Sequence, residues 1–157
     1  MASAKSSKAP FLVFGWGNPS RGDDALGPLF VERIAALQLP GVECLTDFQL
    51  QVEHALDLHG RRRILFVDAS VDAAAPFSAR RIEAEKDASF STHAMSPQAV
   101  LQVYRDLEDE QPPPTWLLAI SAEAFELGAQ PGEAALRHLD AALAWARGWL
   151  AEEECAA

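Results

Sequence analysis

The chain has 157 residues, of which 49% are hydrophobic, so it is long enough to bury the core of one ordinary domain. Its formal net charge of -10 disfavours broad binding to nucleic acid or to an anionic membrane surface. Its two cysteines, Cys44 and Cys155, fit neither a C-x-x-C metal pair nor a disulfide framework, which favours a reducing cytoplasm.

The hydrophobic pattern predicts strands that alternate with helices along the chain. In order, we predict a strand over Phe11 to Trp16, a helix over Leu26 to Leu37, a strand over Val42 to Thr46, a short helix over Val52 to Leu58, a strand over Ile64 to Val67, an edge strand over Ala79 to Ala84, a helix from Pro97 to Leu107, a strand over Thr115 to Ser121 and a helix over Gly132 to Leu150. This order predicts a three-layer α/β/α sandwich with a mostly parallel, twisted sheet of about five strands.

One domain is expected over residues 1–157, with residues 1–9 flexible and 151–157 frayed, and no signal or membrane segment is recognised.

Two side-chain patterns predict local structure. The basic run Arg61 to Arg63 is interpreted as a solvated loop, with a specific acidic partner as the alternative. Trp145 and Trp149, four residues apart on the last helix, are interpreted as core packing or a dimer contact.

A glycine-rich turn with two adjacent carboxylates, Asp23 and Asp24, lies between the first strand and the first helix. The turn begins like a phosphate-binding G-x-G-x-x-G motif, but Ser20 replaces the third glycine and no G-K-S or G-K-T follows. The aspartates would repel a phosphate, so a cation is the better hypothesis. The alternative is that one aspartate caps the helix beginning near Ala25 and the other is solvated.

Two further residues could join these carboxylates. Asp68 directly follows a short apolar strand, and the carboxyl ends of parallel strands line the ligand crevice of such folds. His93 lies in a polar loop before the helix for which Ser96 is the predicted N-cap. An ordinary hydrogen-bonding role for His93 is the alternative.

Taken together, these segments resemble the hydrogenase maturation proteases, endopeptidases that trim the large subunit of nickel-iron hydrogenases. The resemblance covers nearly the whole chain. It is carried by Gly15-x-Gly17-Asn18 with Asp23-Asp24 and Gly27, by Val67-Asp68-Ala69, by Thr92-His93-x-Met95 and by Phe125-Glu126-Leu127-Gly128.

The resemblance implies a metal site formed by Asp24, Asp68 and His93. Two carboxylates and an imidazole suit nickel and leave coordination positions open, as expected if the metal arrives with the substrate. The isolated protein is therefore expected to be largely metal-free. The resemblance also implies substrate contacts at Gly17, Asn18, Asp23 and Gln49, with Asp23 as a cap or as the partner that orients Asp24.

The activity implied is removal of a C-terminal extension from the nickel-loaded large-subunit precursor, with nickel as the recognition element. Because the chain has no H-E-x-x-H and no G-x-S-x-G, a carboxylate base is the simplest remaining candidate. Asp47 and Glu53 are the candidates, although a turn or cap role for Asp47 and a solvated position for Glu53 are the alternatives. The precursor is the expected partner, and a monomer is favoured.

Two other functions compete with this one. The same three side chains could form a metal-dependent checkpoint that binds the precursor without cutting it. A Rossmann-like nucleotide-binding protein is suggested by Gly15-x-Gly17, but the missing third glycine and the acidic pair weaken it.

Overall fold

A computed structural model of the chain describes residues 8–86 and 95–156, with side chains up to residue 151. Its five-stranded sheet has the order β2-β1-β3-β5-β4, and every neighbouring pair is parallel except the antiparallel pair of β4 and β5. The strands are β1 Phe11–Trp16, β2 Val42–Asp47, β3 Arg63–Ser70, β4 Phe77–Ile82 and β5 Thr115–Ser121.

Helices cover both faces of this sheet. The α-helices are α1 Leu26–Ala36, α2 Pro97–Glu108 and α3 Glu133–Ala156, and short 3-10 helices occupy Gly22–Ala25 and Val52–Leu58. One apolar cluster joins α1 and α3 to one face of the sheet, and a second joins α2 and the helix Val52–Leu58 to the other. The three-layer α/β/α prediction is therefore confirmed.

The central strands are apolar because both of their faces are covered. Leu12 and Phe14 of β1 point into the α2 layer, whereas Val13 points into the layer of α1 and α3. All three side chains are 0 to 1% exposed. Burial on two faces explains why these strands read as continuous apolar runs instead of alternating ones.

Several element boundaries differ from the predictions. β3 continues past Asp68 to Ser70 because β5 pairs with it along that whole stretch. The predicted edge strand begins and ends two residues earlier and runs antiparallel. At the carboxyl terminus, α3 continues to Ala156, beyond the predicted helix end at Leu150, and the predicted fraying stays a prediction.

The described part of the amino-terminal segment makes specific contacts with the rest of the chain, and the flexibility predicted for residues 1–9 stays a prediction. The Lys8 ammonium donates to the carbonyl oxygens of Leu56 and His59 at 3.1 and 3.0 Å. The carbonyl oxygen of Ala9 accepts from the Arg61 guanidinium at 3.0 Å. Residues 1–7 lie outside the described residues.

The solvated-loop interpretation of the basic run is also wrong for two of its three arginines. Arg61 is buried and pairs at 2.7 Å with Glu43 of the same chain. Arg63 is buried between Trp116 and Trp149, with its guanidinium carbon 4.4 and 4.0 Å from the ring centroids. These arginines fasten the beginning of β3 to its surroundings.

Two packing predictions are confirmed. Trp149 is 4% exposed and packs in the core with Trp145, whose ring is stacked 6.1 Å away. Ser96 caps α2, because its hydroxyl oxygen accepts from the Ala99 amide at 3.0 Å and Pro97 occupies the first turn. Within the described ranges, no helix is long and apolar enough to cross a bilayer.

Candidate functional site

Two of the predicted site carboxylates lie at one level of the sheet and on one face. Trp16 of β1 pairs with Asp47 of β2. On the other side of β1, the last residue of β3 that pairs with β1 is the residue just before Asp68. Two strand spacings put the backbones of Asp47 and Asp68 roughly 10 Å apart. The Trp16 ring lies between these strands and contacts the Phe66 ring edge-on at 5.6 Å, which gives the crevice an apolar floor.

The turn after β1 delivers the third carboxylate, Asp24, to the same edge of the sheet. Asp24 is half-buried in the 3-10 helix Gly22–Ala25, and its Oδ2 accepts from the Asn18 amide at 2.7 Å. Gly17 has φ +148°, and a Cβ there would collide with the carbonyl oxygen of Asp24. Glycine at position 17 is therefore a requirement for holding Asp24 in this place.

The electrostatics show that Asp24 and Asp68 are close enough to repel each other. Burial raises the pKa of Asp68, the negative charge of Asp24 raises it further, and a hydrogen bond from the Ala69 amide opposes both effects. The resulting pKa is about 7. A buried carboxyl group with a second carboxylate near it forms a site at which a cation would stabilise the charged form.

Asp23 has a different role from the one predicted. It is 3% exposed, its Oδ2 accepts from the amides of Glu123 and Ala124 at 2.8 and 3.2 Å, and its Oδ1 accepts from the Gly132 amide at 2.8 Å. Its side chain caps neither the helix Gly22–Ala25 nor α1. Both oxygens accept from backbone amides of the segment after β5, so the prediction of a cap is wrong and Asp23 holds that segment in place, whereas its predicted substrate contact stays a prediction.

The pKa of Asp23 reflects these hydrogen bonds. Burial alone would raise the pKa, but hydrogen bonds from the three amides outweigh burial, and nearby His138 contributes in the same direction, so the pKa is lowered. His138 also donates from Nδ1 to the carbonyl oxygen of Ser121 at 2.9 Å. The histidine thus holds the same segment from α3, a role that no sequence signal indicated.

The turn geometry argues against phosphate binding. Phosphate loops direct free backbone amides toward the ligand. Here the Asn18 amide donates to Asp24, and the Ser20 amide donates to the Asn18 side chain at 2.8 Å. The interpretation of a Rossmann-like nucleotide site has no support from these amides.

Asp47 forms a hydrogen-bonded pair with a histidine that the sequence analysis did not single out. His54 Nδ1 accepts from the Gln51 amide at 2.8 Å, so Nε2 carries the proton and donates to Asp47 Oδ2 at 3.0 Å. The His54 side chain is 9% exposed and packs edge-on against Phe14, whereas the Asp47 side chain is 41% exposed. The spacing of Gln51 and His54, typical of a reciprocal helix cap, was the available signal.

The remaining predicted residues differ in exposure, and one of them lies outside the described residues. Glu53 is exposed on the helix Val52–Leu58, and Gln49 is half-buried just before that helix. His93 lies outside the described residues, so its prediction stays a prediction. The described chain resumes at Met95, whose amide donates to the carbonyl oxygen of Leu50 at 3.2 Å. In residues 8–86 and 95–151, no group of three metal-binding side chains is found.

These features define the class of protein: an α/β/α sandwich whose central parallel strands end at an acidic crevice. Solved structures of hydrogenase maturation proteases share this fold over about nine-tenths of the chain, which confirms the resemblance carried by the sequence motifs.

Three of these structures illustrate the likeness. The hydrogenase maturating endopeptidase HybD of Escherichia coli is 25% identical, with a TM-score of 0.69 over 91% of this chain and 93% of HybD. An endopeptidase of Escherichia coli solved in solution is 26% identical, with a TM-score of 0.66 over 92 and 93%. The nickel-iron hydrogenase maturation protease HycI of Thermococcus kodakarensis is 20% identical, with a TM-score of 0.68 over 91 and 93%.

Comparison at the level of sequence alone gives no match, either to a protein-family model or to a curated protein. The likeness that these comparisons show is therefore one of fold. Two of the motifs, the turn that carries Asp24 and the strand end at Asp68, lie at the crevice, where such folds put functional residues.

Proposed function

We propose that this chain is a cytoplasmic endopeptidase that removes the C-terminal extension from the nickel-loaded large-subunit precursor of a nickel-iron hydrogenase. The observation that carries the proposal is the pair of carboxylates Asp24 and Asp68 at one edge of the sheet, where burial and, to a smaller extent, the charge of Asp24 raise the pKa of Asp68 to about 7. The fold shared with hydrogenase maturation proteases supports it.

Nickel belongs to the substrate in this proposal and reports that the precursor is ready to be cut. Asp24, Asp68 and His93 are the proposed ligands, and donors of the precursor would fill the remaining coordination positions. His93 enters from the sequence alone. Because three ligands hold a divalent ion weakly, we expect the dialysed protein to be largely metal-free, and tight nickel retention would contradict this.

Asp47 is the proposed base that activates water for peptide hydrolysis. Its carboxylate is partly exposed at the level of Asp68, and His54 fixes its orientation through the bond to Oδ2. An oriented, solvent-accessible carboxylate can accept a proton from water. Glu53, exposed on the adjacent helix, is the second candidate for this role.

The test is to incubate the protein with nickel-loaded and nickel-free precursor and to follow the C-terminal mass by intact-protein mass spectrometry. We expect the extension to be released only from the nickel-loaded precursor, and Asp24→Asn to slow release strongly. Asp140→Asn is the matched control, because the Asp140 carboxylate is 73% exposed on α3 and lies outside the loops at the strand ends.

Two results would contradict the proposal. Cleavage that does not depend on nickel would remove the recognition role of the metal. Stable binding of the nickel-loaded precursor without any loss of mass would favour the checkpoint function instead.

A further inference from the structure

Large apolar side chains are exposed mainly where the strands end. In the described part of the chain, seven large hydrophobic side chains are exposed, and four of them follow the carboxyl ends of β2, β3 and β5: Phe48, Val52, Val71 and Leu127. Phe48 and Leu127 are 66 and 68% exposed. Exposed apolar groups gathered at one edge of a sheet indicate an interaction surface.

Phe48 and Leu127 lie on opposite sides of the turn that carries Asp24. The Gly17 amide donates to the carbonyl oxygen of the residue before Phe48 at 3.1 Å. The amide of the residue after Leu127 donates to the carbonyl oxygen of Ser20 at 2.6 Å. Backbone bonds thus fasten both apolar residues to the two ends of one short turn.

The separation of the strands that precede these residues suits a short stretch of extended polypeptide. β2 and β5 are separated by β1 and β3, so three strand spacings give a span of about 14 Å across the strand ends. An extended chain rises about 3.3 Å per residue, so roughly five residues cover this span. Such a segment would cross the acidic crevice.

The loops along this path are strongly acidic. In the described loops 17–24, 47–53, 71–76 and 122–132, the carboxylates outside the Asp23 clamp are opposed by one arginine, Arg21. These carboxylates are Asp24, Asp47, Glu53, Asp72, Glu123 and Glu126. A basic segment complements this charge, whereas an acidic one would be repelled.

We propose that Phe48 and Leu127 anchor an extended segment of the precursor beside its cleavage site, and that this segment is apolar and basic. The inference rests on the proposed function, because the occupant is the protein that is cut. Docking of this kind supplies affinity that does not depend on nickel, since the apolar anchors make no contact with the metal. Nickel then decides whether the docked segment is cut.

The test measures binding of nickel-free precursor, which the proposed function leaves uncut, by biolayer interferometry. The variants are Phe48→Ser and Leu127→Ser, each with a thermal melt to verify folding. The matched control is Leu107→Ser, because Leu107 is 63% exposed on α2, away from the strand ends. Cleavage of nickel-loaded precursor is measured in parallel, giving KM and kcat.

We expect each anchor variant to raise the Kd and the KM about 5- to 10-fold and to leave kcat within about 2-fold, whereas Leu107→Ser leaves all three unchanged. Raising the salt concentration from 50 to 500 mM should weaken wild-type binding several-fold. Anchor variants that bind like the wild type, equal losses in the control, or salt-independent binding would overturn the proposal.

Two outcomes separate this inference from the proposed function. Normal nickel-dependent cleavage together with unchanged binding by both anchor variants overturns the docking surface and leaves the protease. If the wild type binds the precursor but never cleaves it, and the anchor variants bind the precursor more weakly than the wild type, the protease function is overturned and the docking surface remains. A concentration-dependent dimer that Phe48→Ser abolishes, seen by sedimentation, would make this face a self-interface and also overturn the proposal.

Discussion

Asp23 is buried and accepts three backbone N–H bonds, whereas Asp24, the next residue, is half-buried and lies near enough to Asp68 for its charge to raise the pKa of that carboxyl. The environment of Asp23 favours its charge and lowers its pKa. Burial, with a smaller contribution from the charge of Asp24, disfavours charge on Asp68 and raises its pKa to about 7. Asp23 is therefore part of the scaffold, whereas the charge of Asp68 is one that a bound cation would stabilise.

Two adjacent aspartates thus have different roles, because Asp23 stabilises the fold and Asp24 belongs to the candidate site. The clamp at Asp23 fixes the segment after β5, and this segment in turn donates to the turn that carries Asp24. Because Asp23 fixes this segment, the turn can hold the carboxylate of Asp24 near Asp68. Four changes would break or sharpen this division.

Asp24→Asn should have the largest effect, and it should fall on activity alone. The substitution keeps an oxygen that can accept from the Asn18 amide but removes the charge proposed to bind nickel. We expect cleavage of nickel-loaded precursor to fall about 1000-fold, roughly 4 kcal/mol of transition-state stabilisation. Urea unfolding should change by less than about 0.5 kcal/mol, and an activity within 10-fold of the wild type would refute the ligand role.

Asp23→Ala should act on stability instead. It leaves the buried amides of Glu123, Ala124 and Gly132 without their acceptor, so we expect the free energy of unfolding to fall by about 3 kcal/mol. Asp140→Ala is the control, because its carboxylate is 73% exposed and pairs with Arg33 at 3.6 Å. The control should lose less than about 0.5 kcal/mol, and equal losses in the two variants would argue against the clamp.

Asp68→Asn should stabilise the metal-free protein in a pH-dependent way. The pKa of Asp68 is about 7 in the folded state and near 3.9 in an unfolded chain, so the wild type loses stability as the pH rises from about 4 to 7. Asparagine avoids this loss. We expect the variant to be more stable by about 2 kcal/mol at pH 8 and by much less at pH 5, in urea titrations.

The same substitution should abolish cleavage, because it removes a proposed nickel ligand. In the wild type, protonation of Asp68 competes with the metal, so cleavage should decline as the pH falls from 8 to 6. An Asp68→Asn protein with no gain in stability at pH 8 would show that burial does not disfavour the charge of Asp68 in the folded state.

His54→Phe should have the smallest effect. Phenylalanine keeps the ring packed on Phe14 but removes the bond to Asp47, so we expect kcat to fall about 10-fold with KM within 2-fold. If His54 acts through Asp47, the double variant with His54→Phe and Asp47→Asn should lose little more activity than Asp47→Asn alone. Fully additive losses in the double variant would mean that His54 does not position Asp47.

Much of the fold was readable from the sequence because local patterns determine it. The apolar runs of β1 and β5 were predicted with their observed bounds, and the N-cap of α2 at Ser96 was recognised from the Ser-Pro pair. Boundaries that depend on a neighbouring strand were missed, such as the end of β3 beyond Asp68.

The sequence by itself determined the alternation of strands and helices, and it placed Asp24, Asp47 and Asp68 at strand ends that a parallel sheet must bring to one edge. Only the tertiary structure decided what each carboxylate does there. Asp23 is satisfied by amides about 100 residues away in the chain, Asp47 by a histidine across a turn, and Asp68 is opposed by Asp24. Hydrogen-bond partners and burial set the charge state of a carboxyl group, and both are properties of the folded chain.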